Sequence, residues 1–391
     1  MNRVGNESIR ATSISIKKRI IFLGIYFVLL TILSYIGWLA YRTTQLYNYV
    51  KESPQAWKGR VYQYDPDFGL VLIPGGEGAE VFRIGPEIPM KADINGFRVP
   101  VNDPALTLPL KRPVVMALGC SFTYGQGVLA EETFPYLVGR ELNGTTINAA
   151  VCAHGLSQML IIARRLIPKY KPDYVLVQYS PWLARRSLKY FFPLVYRNVP
   201  TPFFTNTKDN SITIHPPVFK TEYFDWPVVD YYWTKAGISD FASFLINIGF
   251  PFFIYDDFNM LGFHLKKLAG VIPEPARNSQ EDIERIVYGE IEEICRNNGA
   301  KMLLITWGAG SSEKEPSYLY LGAIELNLRE TVIVNAYSVL YNNLQDRYPG
   351  NYLSVYGNYR GSPPVLVDTH PNSYAHAIIA SEIVRTIETL R

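Results

Sequence analysis

The sequence predicts an α/β fold, a parallel β-sheet covered by helices on both faces, behind one N-terminal membrane-spanning helix. Three observations lead there. Between Val114 and Tyr179, short apolar β-branched runs alternate with stretches of helical apolar spacing. The same alternation resumes at Gln280 and runs to the end of the chain. Ile20–Tyr41 contains no charged residue.

The apolar stretch Ile20–Tyr41 reaches the roughly 20 residues needed to cross a bilayer core. A cleavable leader has a shorter apolar core, about 7 to 15 residues, and ends in small residues; this stretch ends in Trp38, Leu39 and Tyr41. It reads as an uncleaved signal anchor. Arg10, Lys17, Lys18 and Arg19 precede it, whereas Arg42 and Lys51 follow it closely, with Lys58 and Arg60 further on. The positive-inside rule then keeps residues 1–19 cytoplasmic and exports everything past Arg42. The expected location is a single-pass cell (inner) membrane protein with a periplasmic or extracellular domain.

Residues 42–110 read as a connecting region with turns at Pro74-Gly75-Gly76 and Asn95-Gly96. Residues 111–391 read as the main α/β domain. Its expected elements are a strand at Val114–Leu118, a helix at Phe134–Leu142, a strand at Thr146–Val151 and a helix at Gln158–Tyr170. A break at Lys171-Pro172-Asp173 leads into a strand at Tyr174–Tyr179. Strand-helix-strand units at this spacing imply right-handed crossovers and a parallel sheet. An aromatic-rich insertion at about 186–278 interrupts the pattern on one edge of the sheet. Its stretch Phe241–Tyr255 is too short to span a bilayer, which leaves core, a cap, or an interfacial segment on the membrane. A charged amphipathic helix at Gln280–Asn297, strands at Lys301–Thr306, Thr331–Asn335 and Val365–Asp368, and a helix at Ser373–Leu390 complete the order.

Composition excludes several classes. A net charge of +3 with no basic stripe does not suit nucleic acid. Three cysteines, Cys120, Cys152 and Cys295, lack metal-ligand spacing and are too few for a disulfide framework. Buried free thiols are the default, although an exported compartment would also permit Cys120 and Cys152 to pair. No motif calls for a cofactor. Oligomeric state is not legible.

Ligands bind at the carboxyl ends of strands in open parallel sheets. Gly119–Gly125, Cys152–Gln158 and Asp368–Asn372 all fall there. Ser121 could expose its hydroxyl after its strand, His370 could act as general base, and Asp368 could hold the other imidazole nitrogen. Singly these signals are weak, since Ser121 also suits a phosphate loop and Asp368 also suits a loop cap. Their joint placement points to nucleophilic catalysis.

Several runs together resemble a known family: Tyr64-Asp65-Pro66-Asp67-Phe68-Gly69, Ile94-Asn95-Gly96-Phe97-Arg98, Gly119-Cys120-Ser121-Phe122-Thr123-Tyr124-Gly125, Glu131-Glu132-Thr133-Phe134-Pro135 and Asp368-Thr369-His370-Pro371-Asn372. The chain resembles the membrane-anchored bacterial SGNH/GDSL hydrolases over roughly residues 61–185 and 280–390. The resemblance implies a flavodoxin-like three-layer α/β/α fold. It also implies ester hydrolysis or acyl transfer, often on sugar-bound acyl groups, with Ser121, His370 and Asp368 catalytic.

Departures from the family pattern bear on the oxyanion hole. Cys120 replaces the usual aspartate. The second-block glycine aligns with Ala153, with Gly155 two residues on. The third-block asparagine is absent, and its strand runs on into Ser180-Pro181-Trp182. Backbone N–H groups of Ser121, Ala153 and Gly155, with the Ser180 hydroxyl or Trp182 indole N–H as a substitute, form the candidate donor set. The aspartate–histidine spacing is one residue short of the commonest form. Arg185, Arg186 and His154 are candidate substrate contacts. Tyr223, Phe224, Trp226, Tyr231, Tyr232 and Trp233 could form a sugar platform or simply cover the sheet edge. The expected partner is an acylated glycan or another acyl ester. Two alternatives stand beside it: a glycan-binding or assembly protein that has lost catalysis, and a lipid esterase or thioesterase at the membrane surface.

Overall fold

The computed structural model describes residues 16–52, 55–59, 61–82, 84–102, 109–193, 198–208, 211–220, 241–307, 326–344 and 352–390. The proposed aromatic platform at 223–233 lies outside them. The chain forms two compact units, one of residues 1–49 with 240–255 and one of residues 50–239 with 256–391.

In the first unit, helix α1 (Ile16–Glu52) carries the one described stretch long and apolar enough to cross a membrane, Ile16–Tyr49. Its side chains from Ile20 to Ile36 face outward along their length. The last turns are different. Leu39, Thr43 and Leu46 are buried, and Tyr47 meets Phe241 and Phe244 edge-on at 5.1 and 5.4 Å. The Arg42 guanidinium lies 4.1 Å from the Phe253 ring centre. Phe241–Tyr255 is helical, interrupted by a π turn at Leu245–Gly249. Gly249 sits so close to Thr43 that a Cβ there would fall 2.2 Å from Thr43 Cγ2.

The second unit is built on a nine-stranded sheet. We label its strands β1 (Gln55–Gly59), β2 (Glu77–Phe82), β3 (Ile88–Ala92), β4 (Arg98–Val99), β5 (Val114–Leu118), β6 (Thr145–Asn148), β7 (Tyr174–Tyr179), β8 (Lys301–Thr306) and β9 (Val332–Asn335). Their spatial order is β1-β2-β3-β4-β6-β5-β7-β8-β9. The five strands β5 to β9 are mutually parallel. Numbered from one to five in chain order, they lie 2-1-3-4-5, the doubly wound flavodoxin-like order.

Residues 55–99, which suggested only turns and connection, form β1 to β4 and extend the sheet antiparallel through the pair Arg98–Asn148. Their alternation is broken by glycine and charge, so periodicity alone does not reveal them. Val365–Asp368 is a strand as expected. It pairs antiparallel with Asn358–Arg360 in a separate hairpin instead of joining the main sheet.

Alternate residues of the parallel strands feed two cores, as a sheet covered on both faces requires. Val114, Met116, Val175, Val177, Met302 and Leu304 face helices α4 (Leu156–Tyr170) and α7 (Gln280–Asn297). Val115, Ala117, Leu176, Leu303 and Ile305 face α3 (Phe134–Glu141), α8 (Ala336–Asn342) and α9 (Ser373–Thr389). Also helical are α2 (Ser121–Tyr124), α5 (Pro181–Ser187), α6 (Phe250–Leu268) and the short segments Phe241–Phe244 and Tyr352–Tyr356. Local chemistry sets the ends. Ser279 caps α7 by accepting the Asp282 N–H, and Asn372 caps α9 by accepting the Ala375 N–H. The Lys-Pro-Asp break works through Asp173, whose carboxylate accepts the Val114 N–H at 2.6 Å and pairs with Arg112.

Candidate active site

The doubly wound order reverses between β5 and β7, and the crevice at such a switch point is where ligands bind. Ser121 follows β5 there and opens α2, a single turn closed by Gly125 in the left-handed region (φ 83°). Gly119 must lack a side chain, since a Cβ would fall 2.3 Å from Thr123 Oγ1 and 2.6 Å from Gln178 Oε1.

Gln178, fully buried on β7, ties this turn together. Its Oε1 accepts the Cys120 N–H at 2.9 Å and the Thr123 hydroxyl at 2.8 Å; its Nε2 donates to Cys120 Sγ at 3.1 Å and Ser180 Oγ at 2.9 Å. From β4, the buried Arg98 guanidinium donates to the carbonyls of Tyr124, Gly125 and Val128. The antiparallel extension thus braces the loop that follows Ser121. Neither Gln178 nor Arg98 has a catalytic residue's sequence signature. Arg98 stands in one of the motif runs, but nothing in the sequence marks Gln178.

His370 reaches the serine from the hairpin that ends at Asp368. Its Nε2 is 2.8 Å from Ser121 Oγ and its Nδ1 2.8 Å from Asp368 Oδ1. The carboxylate can only accept from Nδ1–H, so Nε2 is left to accept from the Ser121 hydroxyl. Asn358 Nδ2 donates to the His370 carbonyl at 2.9 Å and fixes the backbone of the turn. With the Asp368 strand ending in this tight turn, a spacing of two residues suffices to bring carboxylate and imidazole together. Burial acts to lower the His370 pKa, but the charge and hydrogen bond of Asp368 outweigh it, and the net shift is upward. Phe122 packs on the imidazole at 5.2 Å and touches Trp182 and Trp307 at 5.4 and 5.6 Å, walling the site with aromatic rings.

The other anticipated residues divide. Ala153 takes the left-handed conformation (φ 67°), which suits the glycine expected there. Neither its N–H nor that of Ser121 has a hydrogen-bond partner among the described residues. Gly155 is turned to a different use: its N–H donates to Gln158 Oε1 at 2.7 Å at the start of α4. The glycine is required there because a Cβ would fall 2.6 Å from Ser187 Oγ.

Trp182 packs against Phe122, and Ser180 Oγ accepts from Gln178 Nε2, which leaves the Ser180 O–H to donate. His154 is buried: its Nε2–H donates to the Leu70 carbonyl at 2.7 Å, and desolvation pushes its pKa down to about 4. It is a neutral packing group. Arg186 donates to the His154 carbonyl at 2.9 Å and lies over Phe192, while Arg185 is exposed. His376 is also buried and neutral, with Nδ1 accepting the Phe134 N–H. All three cysteines are free thiols.

No family model and no curated protein matches the chain. Among solved structures it is similar to a catalytic mutant of Axe2, an acetylxylan esterase from Geobacillus stearothermophilus (12% identity, 71% of this chain and 94% of that one, TM-score 0.35). It is also similar to the psychrotrophic esterase EstA from Pseudoalteromonas sp. (10% identity, 71% and 98%, TM-score 0.32). A third is a protein assigned to the G-D-S-L lipolytic family from Desulfitobacterium hafniense DCB-2 (9% identity, 70% and 98%, TM-score 0.31). At scores this low such likenesses carry no weight, and the strand order of the chain itself defines the fold.

Proposed function

We propose that the chain is a membrane-tethered, extracytoplasmic serine esterase or O-acyltransferase that works through an acyl-Ser121 intermediate, with acylated cell-envelope glycan as substrate. One observation carries this reading: the unbroken hydrogen-bond relay from Asp368 through His370 to Ser121, seated at the switch point of the sheet. His370 takes the hydroxyl proton as Ser121 Oγ attacks the ester carbonyl, and Asp368 stabilises the imidazolium that forms. The N–H groups of Ser121 and Ala153 are the donors offered to the oxyanion. His370 then protonates the departing alkoxide. In the second half-reaction water or a sugar hydroxyl attacks the acyl-serine, with His370 again removing the proton.

The apolar α1 and the excess of basic residues ahead of it support the tether and an exported domain. The glycan rests on the resemblance and on that location. Incubation of the full-length chain with a fluorophosphonate tests the reading: a single adduct on Ser121, lost in Ser121→Ala, is expected. A folded wild-type protein that stays unlabelled would sink it. The strand that runs on into Ser180-Pro181-Trp182 has no asparagine, which favours a second reading, a glycan-binding protein with a depleted oxyanion hole, in which glycan binding persists in Ser121→Ala and no acyl ester is turned over.

A further inference from the structure

Two buried carboxyl groups flank Gly127 behind His370, and each has an oxygen without a donor. Asp368 uses Oδ1 for the imidazole, and its Oδ2 is buried with no hydrogen-bond partner. Glu80, on β2, accepts the Gly127 N–H with Oε2 at 2.8 Å, and its Oε1 is likewise buried and unpartnered. Gly127 joins them. Its N–H serves Glu80, and a Cβ on it would fall 2.9 Å from Asp368 Oδ2 and 2.7 Å from Asn358 Nδ2. Two ionised carboxylates offer each other only lone pairs and repulsion in a low-dielectric site. A single proton between them satisfies both orphan oxygens.

We propose that Glu80 is held as a neutral acid whose Oε1–H donates to Asp368 Oδ2, extending the relay to Glu80–Asp368–His370–Ser121. Burial is the main force that keeps the proton on Glu80. It pushes that carboxyl up to about 7, with Arg98 pulling the other way and the charge of Asp368 adding to the rise. Arg98 does not quench Glu80 by contact, since its hydrogen bonds go to three backbone carbonyls. Arg360 reaches the Gly127 carbonyl at 3.4 Å. The other titratable groups near Glu80 are Tyr62, Tyr124 and Cys152, all kept protonated and uncharged by burial.

With Glu80 neutral, the charge of Arg98 is balanced by that of Asp368 while the imidazole is neutral. Glu80 touches no substrate. It is a positioning residue that holds Asp368 so that Oδ1 faces His370.

The inference rests on the serine-hydrolase reading, and the test keeps the two apart. The labelling rate of Ser121 by a fluorophosphonate is measured against pH in the full-length chain, for wild type, Glu80→Gln and Glu80→Leu. Glutamine can still accept the Gly127 N–H and donate to Asp368 but cannot ionise. We expect it to retain labelling within about threefold, while leucine loses about 10- to 100-fold, the worth of one hydrogen bond to a charged group. Wild type should slow as pH rises above about 7 and Glu80 sheds its proton, and this limb should vanish in Glu80→Gln.

In the infrared, a protonated carboxyl band should be present in wild type at pH 6 and absent in Glu80→Gln. Glutamine as slow as leucine, leucine as fast as wild type, or an alkaline limb that survives in Glu80→Gln would overturn the proposal. If Glu80→Leu does not fold, the two remaining pH profiles decide. If wild type is never labelled, the hydrolase reading fails while the infrared band still reports on Glu80.

Discussion

Gln178 should matter more than any sequence motif suggests. Replacing it with leucine removes four hydrogen bonds at the centre of the Ser121 turn and strands the Cys120 N–H, the Thr123 hydroxyl and Ser180 Oγ, all buried. A buried polar group left without a partner costs about 1–3 kcal/mol. Hydroxyls can rotate towards other acceptors, so the three together are expected to cost about 3 kcal/mol, not their full sum. For damage confined to one turn, global unfolding is a blunt measure. Modification of Cys120 is a better one. That thiol is fully buried against Gln178 and reacts only when the turn opens. About 3 kcal/mol corresponds to an increase on the order of a hundredfold in its modification rate, read by mass spectrometry of the Cys120 peptide. Because apolar replacement of both partners is far cheaper than orphaning one, the triple variant Gln178→Leu/Thr123→Val/Ser180→Ala should recover roughly half of the loss. A single variant whose Cys120 reacts no faster than wild type, or a triple variant no slower than the single, would refute the reasoning.

Asp368→Asn should lower the fluorophosphonate labelling rate by about 10³–10⁴, because the amide no longer holds the imidazole in the tautomer that accepts from Ser121; thermal stability measured alongside separates this from unfolding. The acid limb of that rate should lie above the ordinary histidine range of about 6.5. The His370 pKa is raised and only the neutral imidazole can take the serine proton, so activity is lost as pH falls through the raised value. Ala153→Gly should stabilise the chain by up to about 1 kcal/mol, since glycine bears the positive φ without the Cβ clash; it should leave labelling intact, and thermal unfolding checks it. Gly155→Ala, by contrast, should destabilise through the clash with Ser187 and Leu183, about 1–3 kcal/mol by the cost of overpacking a tight site.

Much of this molecule is written locally. The parallel strands at Val114–Leu118, Tyr174–Tyr179 and Lys301–Thr306 are continuous apolar runs because both of their faces are covered, and the helices at Gln280–Asn297 and Ser373–Thr389 carry the spacing and caps that define them. Local pattern therefore determined the α/β alternation, the membrane-length helix and the chain positions of Ser121, Asp368 and His370. What it could not settle is which polar atoms find each other. Ser180 and Gln178 showed no tie in the sequence until the fold set Gln178 Nε2 against Ser180 Oγ. Gly155 and His154 gave their N–H groups to Gln158 and the Leu70 carbonyl, and Glu80 came to accept the Gly127 N–H from a stretch that read as connection. A hydrogen bond is decided by a few tenths of an ångström between groups tens to hundreds of residues apart, and only the packed sheet sets such distances.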